Sequence, residues 1–204
     1  MKKTRTKEQI LDSAMILFQE KGFEKTSMED VAQKVQLTKR SIYNYFPTKE
    51  SLYFDAVKQD IENLKQGLGI IIKFDTLSPL ERLREYLIRR NELIAQSENI
   101  QMFMKSDSSS FGKSLFDKLT IEFKDFYKWE RSQIKIMLQG LKFTPKYNAL
   151  NNNTDSIADL VHMSARSTSY LFFIEEKFKD DKQSFEILIN LFVDALKENA
   201  IGRK

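Results

Sequence analysis

An all-α fold follows from three features of this 204-residue sequence. Only three prolines and six glycines punctuate it, apolar residues recur at three- and four-residue spacing over long stretches, and no strand-like alternation persists. The pattern predicts about nine helices: a three-helix amino-terminal domain (1–49), joined by a long fourth helix to a larger helical domain (50–204).

The first helix is expected from about Thr6 to Lys21, with Ile10, Ala14, Leu17 and Phe18 on one face and Gly22 as its stop. A second, of about two turns, starts near Ser27, which can cap it with Asp30 at the third position; Met28, Val31, Ala32 and Val35 form its apolar stripe. After Gln36-Leu37, Thr38 can cap a third helix from Lys39 to about Phe46, and Pro47 ends it because the residue before proline avoids the α region. Thr48 then caps the fourth helix, Lys49 to about Lys73.

Ser78-Pro79-Leu80-Glu81 predicts a further start, with serine as cap, proline at the first position and glutamate at the third, in a helix reaching about Gln96. A shorter piece, Asn99 to Lys105, precedes a Ser/Gly-rich loop, Ser106 to Gly112. A long helix then runs to Gly140, and Thr144 to Asn153 is a polar connection. The last two helices are expected at about Thr154 to Phe178 and Lys182 to Ala200, with Gly202 just beyond. Phe185, Leu188, Ile189, Leu191, Phe192, Val193 and Leu196 cover more than one face of the final helix. A terminal helix with that pattern can bury its surplus against a second copy, so homodimerisation through the last two helices is expected; both lying deep in one monomer is the alternative.

Composition narrows the chemistry. There is no cysteine and a single histidine, His162, which removes thiolate sites and leaves too little for a zinc site; no cofactor and no catalytic metal are expected. No Gly-rich phosphate loop or nucleophile motif is present, so an enzyme is not expected. The basic start Lys2, Lys3, Arg5, Lys7 is followed by an amphipathic stretch with Glu8 and Asp12, unlike an export signal. The apolar run Leu68 to Ile72 falls far short of the roughly 20 residues that span a bilayer. The expectation is a cytoplasmic protein with no membrane partner.

Charge is unevenly placed. Residues 1–49 hold ten Lys/Arg against six Asp/Glu, so they carry the whole net charge of +4, while the remainder has 23 of each sign. A localised cationic excess is the footprint of a segment that neutralises phosphates.

Residues 27–46 have helix-turn-helix proportions. On the second of these helices Ile42 and Phe46 face inward, whereas Lys39, Arg40, Tyr43 and Asn44 form an opposite face with no apolar member. In a major groove Lys39 and Arg40 can donate to guanine N7 and O6, and Asn44 can pair with adenine. Thr26, Ser27, Thr38, Ser41, Tyr43 and Tyr45 can donate to phosphates. Lys49, at the first position of a helix, opposes the helix dipole, which suggests a phosphate as its partner.

The run Ala14-x-x-Leu17-Phe18-x-x-Lys21-Gly22-Phe23-x-x-Thr26-Ser27-Met28-x-x-Val31-Ala32, continuing Leu37-Thr38-Lys39-x-Ser41-Ile42-Tyr43-x-Tyr45-Phe46-x-x-Lys49-x-x-Leu52, resembles the TetR family of transcriptional regulators. The match covers roughly residues 6–57; beyond it the likeness is architectural. The resemblance implies a homodimeric, usually repressing, operator-binding protein released from duplex DNA by a small-molecule effector. It implies that Lys39 and Arg40 approach bases and that Thr26, Thr38, Ser41, Tyr43, Asn44, Tyr45 and Lys49 mostly hold backbone phosphates. Two positions depart from the family pattern. Gln36 stands where the turn usually has glycine, so a residue with a Cβ must adopt a glycine-like or an adjusted turn there, at some strain. Arg40 stands where a small residue is frequent.

The larger domain is rich in aromatic residues, among them Phe103, Phe126 and Trp129, which fit an apolar effector pocket or an ordinary core. His162, Arg166 and Tyr170, four apart, share a helix face and fit either the polar side of that pocket or a strip at a dimer seam. A helical adaptor that uses 27–46 to bind protein, without ligand response, is the alternative to a DNA-binding regulator.

Overall fold

In the computed structural model the described residues are 2–73, 76–106, 108–139, 141–147, 151, 153–173 and 182–201. Ten α-helices occur among them: α1 (Lys2–Lys25), α2 (Met28–Lys34), α3 (Lys39–Tyr43), α4 (Lys49–Ile72), α5 (Pro79–Gln96), α6 (Glu98–Lys105), α7 (Ser108–Phe111), α8 (Lys113–Leu138), α9 (Thr154–Phe173) and α10 (Lys182–Glu198), plus a 3₁₀ turn at Pro145–Tyr147. The one extended pairing among them is an isolated antiparallel bridge between Phe143 and Ala200. Gly140 and Gly202, expected at or beyond helix ends, and the stretch to Phe178 lie outside the described residues.

The ends form where side chains satisfy free backbone groups. Gly22 breaks α1 with φ 78°, a conformation that only glycine adopts without strain. Ser97, Thr48 and Ser78 accept from the N–H three residues on, at the starts of α6, α4 and α5. Two expectations change in detail. Helix α3 closes at Tyr43 rather than near Phe46, because Tyr45 and Phe46 both donate to the Ile42 carbonyl in a tightening turn ahead of Pro47. The Ser/Gly-rich stretch is not all loop: Ser108–Phe111 makes one helical turn before Gly112 redirects the chain at φ 74°.

The chain divides into two compact units, Met1–Asn63 with Ser97–Lys124, and Leu64–Gln96 with Asp125–Lys204. In the first, Phe18, Phe23, Tyr53 and Phe111 form an aromatic cluster with ring centroids 4.9 to 6.1 Å apart, and Ile10, Leu17, Val31, Ile42, Phe46 and Leu52 complete the core. In the second, α5 packs against α10 and α9, and Leu83, Leu87, Ile94, Val161, Ile189 and Val193 on these helices are buried.

Candidate functional site

In the first unit, α2 and α3 are held in a helix-turn-helix by their caps. At the start of α2, the Asp30 N–H donates to Ser27 Oγ (3.1 Å) and the Ser27 N–H to Asp30 Oδ2 (2.8 Å), a reciprocal capping box. Hydrogen bonds from the Ser27 side chain, Lys21 and the Ser27 backbone hold the Asp30 carboxyl well below the usual carboxylate range. The turn after α2 closes with Gln36 N–H to Gln33 O (3.2 Å) and Leu37 N–H to Ala32 O (2.9 Å), the Schellman pattern, and Gln36 takes φ 56° there. The glycine-like residue that the turn requires is thus Gln36, with its side chain exposed.

Thr38 then caps α3: its Oγ1 accepts from the Ser41 N–H at 3.1 Å and lies 2.8 Å from Ser41 Oγ. Ile42 and Phe46, 0% and 1% exposed, pin the inner side of the helix. Lys39, Arg40, Tyr43 and Asn44 are exposed and, at α-helical pitch, share about 140° of arc that excludes both. Among the described residues neither Lys39 nor Arg40 has an ion-pair partner, whereas Lys21 and Lys34 are paired with Asp30 and Glu20. The exposed face therefore carries uncompensated positive charge. Thr38, Ser27, Ser41 and Tyr45 surround it, exposed or half-buried.

Two predicted contact residues sit differently. Thr26 is 1% exposed, and its hydroxyl donates to the carbonyls of Gly22 (2.8 Å) and Leu17 (3.1 Å), closing the break in α1 instead of facing outward. Lys49 has protein partners: Nζ donates to the carbonyls of Phe23 (3.0 Å) and Glu24 (3.3 Å) and lies 4.3 Å from the centroid of the Phe23 ring. Its charge therefore meets the negative end of α1, which offsets its unfavourable place at the start of α4.

The aromatic and polar residues expected around an effector are divided between the two units. Phe103 belongs to the first unit, stacked on Phe123 at 4.5 Å and tilted against Phe116 at 5.5 Å. Phe126 and Trp129, 5.9 Å apart, belong to the second. His162 is buried with Nε2 3.2 Å from Glu130 Oε2, and the Tyr127 ring lies 5.5 Å from its own. Arg166 is exposed, its guanidinium 4.0 Å from the centroid of the Tyr127 ring, and Tyr170 is exposed. The four-residue spacing drifts about 40° per step, so the strip turns from interior to surface along α9.

Around His162 lies a buried polar cluster that periodicity alone did not single out. Arg90 donates through Nε to Glu130 Oε1 (2.5 Å), through Nη2 to Oε2 (3.3 Å) and through Nη1 to Ser169 Oγ (2.6 Å), and the Tyr86 hydroxyl donates to Glu130 Oε1 (3.2 Å). Burial alone would raise the Glu130 carboxyl; Arg90 and His162 outweigh it and hold Glu130 below its ordinary range. The signal was present in the sequence: Arg90 continues the stripe Leu83, Tyr86, Leu87, Ile94, and Glu130 continues Phe123, Phe126, Ile134, so each is a charge at a core position. A second buried group, Asp60, accepts from Ser97 Oγ (2.8 Å) and Asn99 Nδ2 (3.0 Å) in the first unit.

A capped helix-turn-helix with an exposed cationic face is the arrangement of helix-turn-helix DNA-binding proteins. Residues 10–56 match the model described as bacterial regulatory proteins, tetR family. Over those residues the chain is similar to the TetR family. It is 28% identical over 189 residues, 93% of this chain and 81% of the relative, to the biofilm operon icaADBC HTH-type negative transcriptional regulator IcaR of Staphylococcus aureus (strain Newman). Its fold matches a putative TetR-family transcriptional regulator from Mesorhizobium loti MAFF303099 with TM-score 0.71 at 18% identity, covering 96% of each chain. It also matches the regulator FadR from Bacillus subtilis, solved in complex with stearoyl-CoA, with TM-score 0.64 at 17% identity, covering 93% of this chain and 96% of that one. The relatives it matches are described as transcriptional regulators. No helix among the described residues is long and apolar enough to cross a membrane.

Proposed function

We propose that this chain is a cytoplasmic repressor that binds a palindromic operator as a homodimer and is released by a small apolar or amphipathic effector. The observation that carries this reading is the outer face of α3, where Lys39, Arg40, Tyr43 and Asn44 stand exposed and without compensating acid above the buried Ile42 and Phe46. Lys39 and Arg40 read base edges, Asn44 pairs with adenine or holds the backbone, and Ser27, Thr38, Ser41, Tyr43 and Tyr45 hold phosphates.

Dimerisation is supported by α9 and α10, which expose Leu160, Met163, Leu171, Ile187, Leu188 and Leu191, with Leu191 at 65%. An apolar surface on two adjoining terminal helices fits a second copy of itself. Two recognition helices about 34–36 Å apart then meet successive major grooves. The effector reading draws on Phe126, Trp129 and His162 in the second unit, and on FadR of Bacillus subtilis, which was solved with an acyl thioester bound.

The test is a salt titration of binding to duplexes selected from a random pool. On this reading affinity falls steeply with salt, footprints show two half-sites, and Arg40→Ala changes the selected sequence. Binding indifferent to salt, or protection of a single half-site, contradicts it. Leu191→Glu is expected to give monomers in sedimentation and to weaken operator binding.

A further inference from the structure

The first unit contains a groove of about 810 Å³ between the first turns of α4 and the corner joining α7 to α8. Its size falls within the roughly 300–1,000 Å³ of small-ligand sites. The lining has two kinds of wall. Tyr45, Phe54, Phe111 and Leu115 supply an apolar surface, and Lys113 and Lys118 supply cations from α8. Neither lysine is ion-paired among the described residues. On the opposite wall Asp55 is neutralised by Lys7 (3.2 Å), which leaves Glu50 as the acid without an ion-pair partner there. The unpaired charges of the lining are thus two cations on one side and one acid on the other, an arrangement that favours one negative group at the α8 wall.

The groove is also joined to the candidate DNA face by contacts inside this unit. Phe111, at its floor, stacks on Tyr53 (5.1 Å) and meets the Phe23 ring edge-on (5.3 Å). Phe23 in turn supports the Lys49 ammonium through both its ring and its carbonyl. Tyr45 and Thr48 line the groove directly. We propose that this groove binds an amphipathic monoanion, an alkyl or aryl carboxylate, and that its occupant weakens operator binding by moving Phe111 and with it Tyr45, which lines the same groove and is among the residues read above as holding phosphates. The binding step stands on the groove alone; the coupling step rests on the operator reading given above.

The experiment uses the full-length, ¹⁵N-labelled protein titrated with dodecanoate below its micellar concentration. The amide resonances of Gly112, Lys113 and Ser114 are expected to shift saturably. A Lys113→Glu/Lys118→Glu variant should bind at least tenfold more weakly, and Ser114→Trp, which fills the groove without altering charge, should abolish the shifts. Saturating dodecanoate should lower duplex affinity at least fivefold in the parent protein and leave Ser114→Trp unaffected. Phe111→Leu should bind dodecanoate but lose that effect. Unmoved resonances at 112–114, or equal binding by the charge-reversed variant, overturn the site. Binding at the groove with unchanged duplex affinity overturns the coupling. If the parent protein binds no duplex even without dodecanoate, the operator reading fails, while the amide shifts still decide the groove.

Discussion

Arg90 and Glu130 form a two-pronged ion pair, Nε to Oε1 and Nη2 to Oε2, with side chains only 4% and 0% exposed. The pair ties α5 to α8, and Ser169 extends it to α9. Removing one partner leaves the other buried and uncompensated, which costs far more than removing both. Glu130→Ala is therefore expected to lower unfolding free energy by about 3–5 kcal/mol. The double replacement Arg90→Met/Glu130→Met should cost less than either single change, as read from urea unfolding at pH 7.

The turn between α2 and α3 offers a gain. Gln36 occupies left-handed space at φ 56° with its side chain in solvent, so Gln36→Gly removes strain without losing packing. It is expected to stabilise the protein by about 1 kcal/mol, seen as a higher melting temperature, with the salt slope of DNA binding unchanged.

Thr26 and Arg40 are expected to separate stability from recognition. Thr26→Val deprives the Leu17 and Gly22 carbonyls of their donor and should destabilise by about 1–3 kcal/mol, with operator preference retained. Arg40→Ala should leave the melting temperature within about 1 °C, because the residue is exposed and unpaired, while costing about 1–3 kcal/mol of operator affinity and relaxing one base position. Thermal melts and competition binding on the same preparations check both.

How much of this was legible in the sequence depends on whether the signal was local. Caps and stops such as Ser27 with Asp30, Pro79 after Ser78, and Gly22 act within a few residues, so α1, α2 and α5 and the exposed arc of α3 could be placed from spacing. Thr26 and Lys49 could not be read that way. Their partners, the carbonyls of Leu17, Gly22, Phe23 and Glu24, are backbone atoms brought near by the break in α1, and a polar side chain gives no sign of whether water or a buried carbonyl will satisfy it. The Arg90 and Glu130 pair was visible only as two charges in two apolar stripes 40 residues apart.

Asp60 gives a pH signature. Burial raises its carboxyl pKa, against hydrogen bonds from Asn99 and Ser97 that lower it. A raised folded-state value means that folding favours the protonated form: the contribution is fully present below the unfolded value of about 3.9 and is lost as pH rises through the folded value. Asp60→Asn removes that loss while keeping an acceptor for Ser97. It is expected to raise stability at pH 7 and to have little effect below about pH 4, measured by denaturant unfolding across pH.

Phe111 closes the aromatic cluster around Phe23 and Tyr53, and Ser97 and Asn99 satisfy Asp60, yet all three come from a stretch of chain that follows α5. The unit that carries the helix-turn-helix is therefore assembled from two separate lengths of polypeptide. A chimera that grafts only the first sixty residues onto another regulator would strip an aromatic wall from its own interior and strand a carboxylate. Exchanging specificities between relatives calls for transplanting residues 97–124 along with the reading helices.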